Sequence, residues 1–252
     1  MKPVAYDLFC GLGGWTEGLL AEGYDVTGFD IEAHEYDGEK YPAKLILQDV
    51  MTLDGARLKD ADLIVASPPC QQFSYMAMPW SRAKQIARAL RGEGDFPEGY
   101  KGSRTIAELT ALFDACFRIQ REASAAAGRH IPMVVENVRG AQPWVSQAAW
   151  NYGSYYLWGD VPALVPAVVD SRKVPGFRFD GSGGSFQTAS GVAHIKGEGG
   201  SWVGAGYQPH QHGRNTGSGS KARKAASARI AKIPLTLSQH IARVYKPQEQ
   251  NT

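Results

Sequence analysis

Over residues 1–140, short apolar runs alternate with stretches whose apolar positions recur every three to four residues. Val4 to Phe9, Val26 to Phe29, Leu45 to Leu47, Leu63 to Ala66 and Pro132 to Val135 have strand length. Such runs read as strands covered on both faces. Between them, Trp15 to Glu22 carries a helical pattern closed by Gly23. Thr105 and Glu108 form a T-x-x-E capping box ahead of a longer helix,. In that helix Leu109, Leu112, Phe113, Cys116 and Phe117 share a face, Gln120 is its polar exception, and Gly128 ends it,. Pro234 suits the first turn of a last helix, with Leu237, Ile241 and Val244 inward,. Strands separated by helices predict an α/β fold with a doubly wound, mostly parallel sheet.

Ligands of such sheets bind at the carboxyl ends of the strands. Five polar clusters follow the five predicted strands: Cys10-Gly11-Leu12-Gly13-Gly14, Asp30-Ile31-Glu32, Gln48-Asp49-Val50, Ser67-Pro68-Pro69-Cys70-Gln71-Gln72-Phe73-Ser74, and Glu136-Asn137-Val138-Arg139-Gly140. All five should converge on one edge. A glycine loop opening a helix, with a carboxylate about 20 residues on, suits a ribose-bearing ligand. Asp49 suits an adenine amino group, so an adenosine-containing cofactor is expected. The loop is not G-x-G-x-x-G, which argues against NAD. Asp30 and Asp49 also suit a strand-ending turn and a cap.

Two prolines stiffen the chain just before Cys70. Its polar neighbours Gln71, Gln72 and Ser74 make it a reachable thiol. Since only the thiolate is nucleophilic, the site is expected to lower its pKa. Glu136 ends an apolar strand, where partial burial would let it hold a proton near neutral pH. Cys116 reads as packing.

Composition changes this picture little, but the distribution of charge changes it. The 252 residues are 43% hydrophobic and 21% charged, and no apolar run has membrane-helix length,. Met1 to Phe9 lacks the basic start and long apolar core of a signal peptide,. Three widely spaced cysteines do not make a disulfide framework, so a cytoplasmic protein is expected,. Residues 1–170 hold 15 Lys and Arg against 22 Asp and Glu; residues 171–252 hold 12 against 3. Of the 29 glycines, 13 lie in 176–220, with Phe177, Phe179, Phe186, Trp202 and Tyr207 interleaved. This basic stretch reads as a polyanion-binding surface, the alternative being a solvated tail. His194, His210 and His212 lack partners at zinc-ligand spacing, so no metal is expected,. The division expected is a catalytic body over 1–170, a small recognition region over 171–226, and a returning C-terminal helix over 227–252.

Asp7-Leu8-Phe9-Cys10-Gly11-Leu12-Gly13-Gly14, Pro68-Pro69-Cys70-Gln71 with Phe73-Ser74, and Glu136-Asn137-Val138 resemble, in order and spacing, three motifs of the DNA (cytosine-5)-methyltransferases. Ile233 to Ala242 is similar to that family's last motif. The resemblance implies a class I methyltransferase (Rossmann-like) sheet with one antiparallel strand. It also implies S-adenosyl-L-methionine as cofactor, held by Phe9, Cys10, Gly11, Leu12, Gly13, Gly14, Asp30, Ile31, Asp49, Val50 and Pro68. Cys70 would add to C6 of a flipped-out cytosine while Glu136 supplies a proton or hydrogen bond at N3. Gln71, Ser74, Asn137, Arg139, Lys221, Arg223 and Lys224 would contact the substrate. Double-stranded DNA is the expected partner of a monomeric enzyme. A tRNA substrate, or a decayed nucleic-acid-binding protein, are the alternatives. The family's Gln-x-Arg-x-Arg strand is replaced here by Ser154-Tyr155-Tyr156-Leu157-Trp158-Gly159. Arg172 and Arg178 are the candidates for its missing arginine.

Overall fold

The computed structural model describes residues 2–74, 79–162, 224–225, 228–229 and 231–247. The expected strands form as β1 (Val4–Leu8), β2 (Asp25–Asp30), β5 (Lys44–Leu47), β6 (Leu63–Ala66) and β7 (Met133–Asn137). Two further strands, β8 (Trp150–Tyr152) and β9 (Tyr155–Gly159), complete a seven-stranded sheet in the order β5-β2-β1-β6-β7-β9-β8. The first five run parallel, and β9 is antiparallel to both β7 and β8. A short hairpin, β3 (Glu35–Tyr36) with β4 (Glu39–Lys40), sits apart from the sheet. Its strands are too short for any periodicity to reveal.

Both faces of the sheet are covered, which explains why all four residues of β6 are buried. One face, with Leu8, Ile64, Ala66, Met133 and Val135, packs on α2 (Trp80–Leu90) and α3 (Ile106–Ala127) through Ile86, Leu90, Leu109, Phe113, Cys116 and Ile119. The other, with Ala5, Val26, Val65, Val134 and Leu157, packs on α1 (Gly14–Ala21) and α5 (Leu235–Tyr245) through Trp15, Leu19, Leu237 and Ile241. A short α4 (Gln142–Val145) follows β7. Thr105 caps α3 by accepting from the Glu108 amide at 3.1 Å, and Gly128 closes it in a left-handed turn. In place of the reciprocal bond, the Glu108 carboxylate accepts from the amide one residue earlier, that of Arg104. Gln120, the polar residue on the inward face, is satisfied by Ile131 O and Asp160 Oδ2 at 2.9 and 2.7 Å.

One inward assignment is corrected. Val244 is exposed, and Ser238 and Ala242 join Leu237 and Ile241 on the buried face of α5. This face lies against α1 so closely that a Cβ on Gly18 would strike Ser238, and one on Gly14 the Ile233 backbone. The segment before α5 is clamped by charge: Lys232 Nζ reaches Glu17 and Glu39 at 2.6 and 2.9 Å, and Arg229 reaches Asp37 and Glu39. Lys232 and Arg229 hold the Glu39 carboxyl below the usual carboxylate range. Of the expected recognition region 171–226, only Lys224 and Ala225 fall among the described residues; His194, His210, His212, Arg172 and Arg178 lie outside them. No helix among the described residues is long and apolar enough to cross a membrane.

Candidate active site

The strand registers bring the five polar clusters to one edge. Leu8 stands level with Phe29 and Ala66, Ala66 with Val135, and Asp30 with Leu47. After β1 the chain turns sharply, with Phe9, Gly11 and Gly13 all at positive φ (58°, 49° and 81°). A phenylalanine in that region is strained, and such strain persists only where the surroundings impose it. The Gly11 amide donates to Asp30 Oδ2 at 2.9 Å, while Asp30 Oδ1 accepts from the Ile31 amide at 2.8 Å. Asp30 therefore ties the end of β2 to the glycine loop.

The glycines of this loop divide into two kinds. Among the described residues a Cβ on Gly11 would meet nothing within 4 Å, so they leave the loop open there. Gly13 and Gly14 are instead packed against Pro42 and the Ile233 backbone. Cys10 and Leu12 are also buried, Leu12 against Tyr36 and Ala225. Of the residues expected to bind the cofactor, Cys10, Leu12, Gly13 and Gly14 thus have their side chains, or the space a side chain would take, against protein. Ile31 and Asp49 are exposed at the neighbouring strand ends, and Val50 is buried. Asp49 caps the turn Val50–Thr52 by accepting from the Met51 amide at 2.9 Å.

Beneath the loop lies a buried acid that the sequence reading left without a role. Asp7 Oδ2 accepts from Thr16 Oγ1 at 2.7 Å, and Thr16 also meets the Tyr41 hydroxyl at 2.7 Å. Asp7 Oδ1 is buried with no hydrogen-bond partner among the described residues. Burial, together with the charge of Asp30, pushes the Asp7 carboxyl up to about 7. An acid raised in the folded state stabilises the fold fully below its unfolded value of about 4, and loses that contribution as pH rises to about 7. Asp7→Asn keeps an acceptor for Thr16 and removes the titration. It is expected to flatten the decline in stability between pH 4 and 7, and to raise stability at pH 8 by roughly 2–4 kcal/mol. Urea denaturation at pH 5 and pH 8 checks this; equal pH dependence in both proteins would place the decline elsewhere.

The turn after β6 carries Cys70. Its carbonyl accepts from the amides of Phe73 and Ser74 at 3.0 and 2.9 Å, which closes the turn. Asn137, at the end of β7, donates from Nδ2 to Pro68 O at 2.9 Å. That buried bond staples the cysteine turn to the strand bearing Glu136. It engages the Asn137 side chain, whose Oδ1 also accepts from the Val138 amide. Asn137, expected as a substrate contact, here holds the two loops together. Pro68 is likewise buried, while Gln71 and Arg139 are exposed and Ser74 is half-buried. Gln72 takes the Tyr100 hydroxyl and the Ser103 amide at 2.9 and 2.7 Å, bracing the far side of the turn.

Burial pushes Glu136 up to about 8, against a lowering hydrogen bond from Ser67. Burial, then the charge of Glu136, pushes the Cys70 thiol up to about 11. This reverses the expectation that the site lowers the cysteine pKa: without substrate the thiol keeps its proton. Tyr155, diagonal to Glu136 across the β7–β9 pair, is pushed up to about 12 by burial and by Glu136. Among the described residues no group of His, Cys, Asp and Glu could hold a metal ion. Lys224 is exposed; Lys221 and Arg223 lie outside the described residues.

A parallel sheet extended by a reversed strand between β7 and β8, with a glycine loop after β1, is the architecture of a class I methyltransferase. Residues 4–82, from β1 through the cysteine turn, match the family model of the C-5 cytosine-specific DNA methylases. No curated protein matches the chain. Similar solved structures include an E. coli prophage-encoded protein described as a DNA modification methyltransferase (18% identity, TM-score 0.33), covering 56% of this chain and 33% of that one. The Dnmt2 methyltransferase of S. pombe (17%, 0.29) covers 57% and 37%, and a mutant Spodoptera frugiperda DNMT2 (18%, 0.31) covers 57% and 38%. The chain thus spans about a third of the length of each.

Proposed function

We propose that the protein transfers a methyl group from S-adenosyl-L-methionine to C5 of cytosine in double-stranded DNA. The observation that carries this reading is the stapling of the Cys70 turn to the Glu136 strand through Asn137 and Pro68. It holds a thiol and a carboxyl at one sheet edge, within reach of each other's charge. The neighbouring loop suits the cofactor, because Gly11 is open where a Cβ would stand and Asp30 orders the loop around it. Phe9, Gly11, Asp30, Ile31, Asp49 and Val50 would hold the cofactor, which supplies an electrophilic methyl group when bound.

Cytosine C5 is a poor nucleophile until C6 is saturated. Cys70 would give its proton to solvent as its sulfur adds to C6, while Glu136, protonated, donates its own proton at N3. Protonation of Glu136 also removes the charge that opposes ionisation of the thiol. C5, now an enamine carbon, would be able to take the methyl group that a bound cofactor supplies; release of the C5 proton to solvent, of Cys70 as thiolate and of the N3 proton back to Glu136 would then restore the ring. The target base must leave the duplex to reach this edge. Gln71, Ser74 and Arg139 would meet the opened strand. The basic segment 171–226, with Lys221, Arg223 and Lys224, would bind phosphates. The outward part of α2 adds exposed Lys84 and Arg88, and α2 carries no acidic residue.

Incubation with labelled S-adenosylmethionine, offered duplex DNA and a tRNA pool separately, tests the proposal. Label in 5-methylcytosine of the duplex is expected. Label in the tRNA alone would keep the chemistry and replace the substrate. Label in neither, with the cofactor bound, would leave a binding protein on a methyltransferase fold.

A further inference from the structure

After β5 the chain makes two short turns in succession, Val50–Thr52 and Gly55–Leu58, and both lie against α3. Arg118 of α3 holds the first of them. Its Nη1 donates to Leu53 O at 3.0 Å, and its Nη2 to Met51 O and Val50 O at 3.2 and 3.4 Å. Glu122, one helical turn on, accepts from Nη1 with both carboxylate oxygens, at 3.0 and 2.9 Å. Glu122 Oε2 also accepts from the Gly55 amide at 2.8 Å, and a Cβ on Gly55 would strike Ile119 O. The near side of the turn is tied to the sheet, because the Gln48 amide donates to Asp30 O at 2.8 Å. Asp49 stands between these two anchors. Its Oδ1 accepts from the Met51 amide, its carbonyl accepts from the Thr52 amide and hydroxyl, and its side chain is exposed.

We infer that Arg118, oriented by Glu122, is the positioning residue for the Asp49 turn, and that it sets the site's preference for an adenine over a 6-oxopurine. This rests on the proposed reading of Asp49 as a cofactor contact. Among the described residues β5 pairs with β2 alone, so no second strand steadies the chain that leads to Asp49. A short helical turn leaves its last carbonyls without partners of its own. One planar guanidinium, with five donors in fixed geometry, can gather three carbonyls and still meet a carboxylate; an ammonium is a point charge without that fork. Arg118 and Glu122 are both partly exposed, so their attraction alone adds little stability,. What the pair supplies is direction, since Glu122 aims the guanidinium at the turn and holds the next turn by its Gly55 amide. A carboxylate accepts from the amino group of adenine, whereas a 6-oxopurine turns a carbonyl oxygen toward it. Discrimination then depends on where the carboxylate stands, which the clamp on Val50, Met51 and Leu53 fixes.

The test is calorimetric binding of S-adenosyl-L-homocysteine and S-inosyl-L-homocysteine to the full chain. The wild type is expected to bind the adenosyl ligand at least about tenfold more tightly, the size of one hydrogen bond to a charged group. Arg118→Lys keeps the charge and loses the fork. It should weaken the adenosyl ligand and cut the ratio to about twofold or less. In an Asp49→Ala background the same change should leave the ratio where it is. A preference kept in Arg118→Lys overturns the inference, whatever happens to the urea midpoint, because a merely structural brace lowers stability and leaves the ratio alone. If Arg118→Lys does not fold, Glu122→Gln, which loosens the guanidinium, is read in the same way: a narrowed ratio supports the inference and an unchanged one overturns it. Wild-type protein that bound neither ligand would overturn the cofactor reading and the inference together. Equal binding of both by the wild type would keep the cofactor and overturn the inference alone, so the two failures are distinguishable.

Discussion

Cys70→Ala is expected to abolish methyl transfer while leaving the fold and cofactor binding in place. Cys70 is half-buried, and the hydrogen bonds that shape its turn come from its backbone carbonyl and from Pro68, not from the thiol. The variant therefore removes the nucleophile and little else. Without addition at C6, C5 keeps its aromatic reluctance, and no other thiol can substitute. Cys10 and Cys116 are both buried, and burial raises both thiols far above their ordinary value. Duplex DNA bearing 5-fluorocytosine should trap the wild-type protein covalently, since fluorine cannot leave as the C5 proton does. The trapped complex should be visible on a denaturing gel and absent for Cys70→Ala. Appreciable turnover by the variant would refute the covalent mechanism.

Glu136→Gln should slow the chemical step by about 10²–10⁴, the range for a positioned acid or base. The substitution preserves size, but the amide has no acidic proton to give. Wild-type activity should also fall as pH rises through about 8, where the Glu136 carboxyl loses the proton it must donate. The sign follows from burial, which favours the neutral form. As the carboxylate forms, its charge also opposes ionisation of Cys70, so both effects act in the same direction. Single-turnover rates across pH 6–9 check this. The alkaline limb near 8 should vanish in Glu136→Gln, and its persistence there would assign the limb to another group.

Much of the scaffold was legible locally. Five strands and three helices announce themselves because covered strands need continuous apolar runs and helices need one apolar face. The Thr105 cap and the Gly128 stop were readable for the same reason: each acts on backbone groups within a few residues of itself. The elements that escaped were β3, β4, β8 and β9, and helices α2 and α4. Two-residue strands have no period, α4 is a single turn, and the N-cap of α2 is Pro79, which offers no side-chain cap to mark the start at Trp80. Val244 was misplaced because helical spacing alone does not say how wide the buried stripe is; the close approach of α1 and α5 selects Ser238 and Ala242 instead.

The sequence by itself determined which chemistry stands at the carboxyl ends of the strands: a glycine loop, three carboxylates and a cysteine in a proline-stiffened turn. Those features are covalently next to the strands that carry them, so no tertiary information was needed. Only the tertiary structure decided how they work together. Trp15 and Ser67 are 52 residues apart, and Asn137 and Pro68 are 69 apart, so their bonds depend on sheet order and register. Gly11 and Gly13 look alike in the chain, yet one faces open space and the other Pro42, because what meets a glycine is set by distant segments. The proton-holding state of Glu136 and Cys70 belongs to the same class. It comes chiefly from burial, which no residue carries alone and which exists only once helices cover both faces of the sheet,.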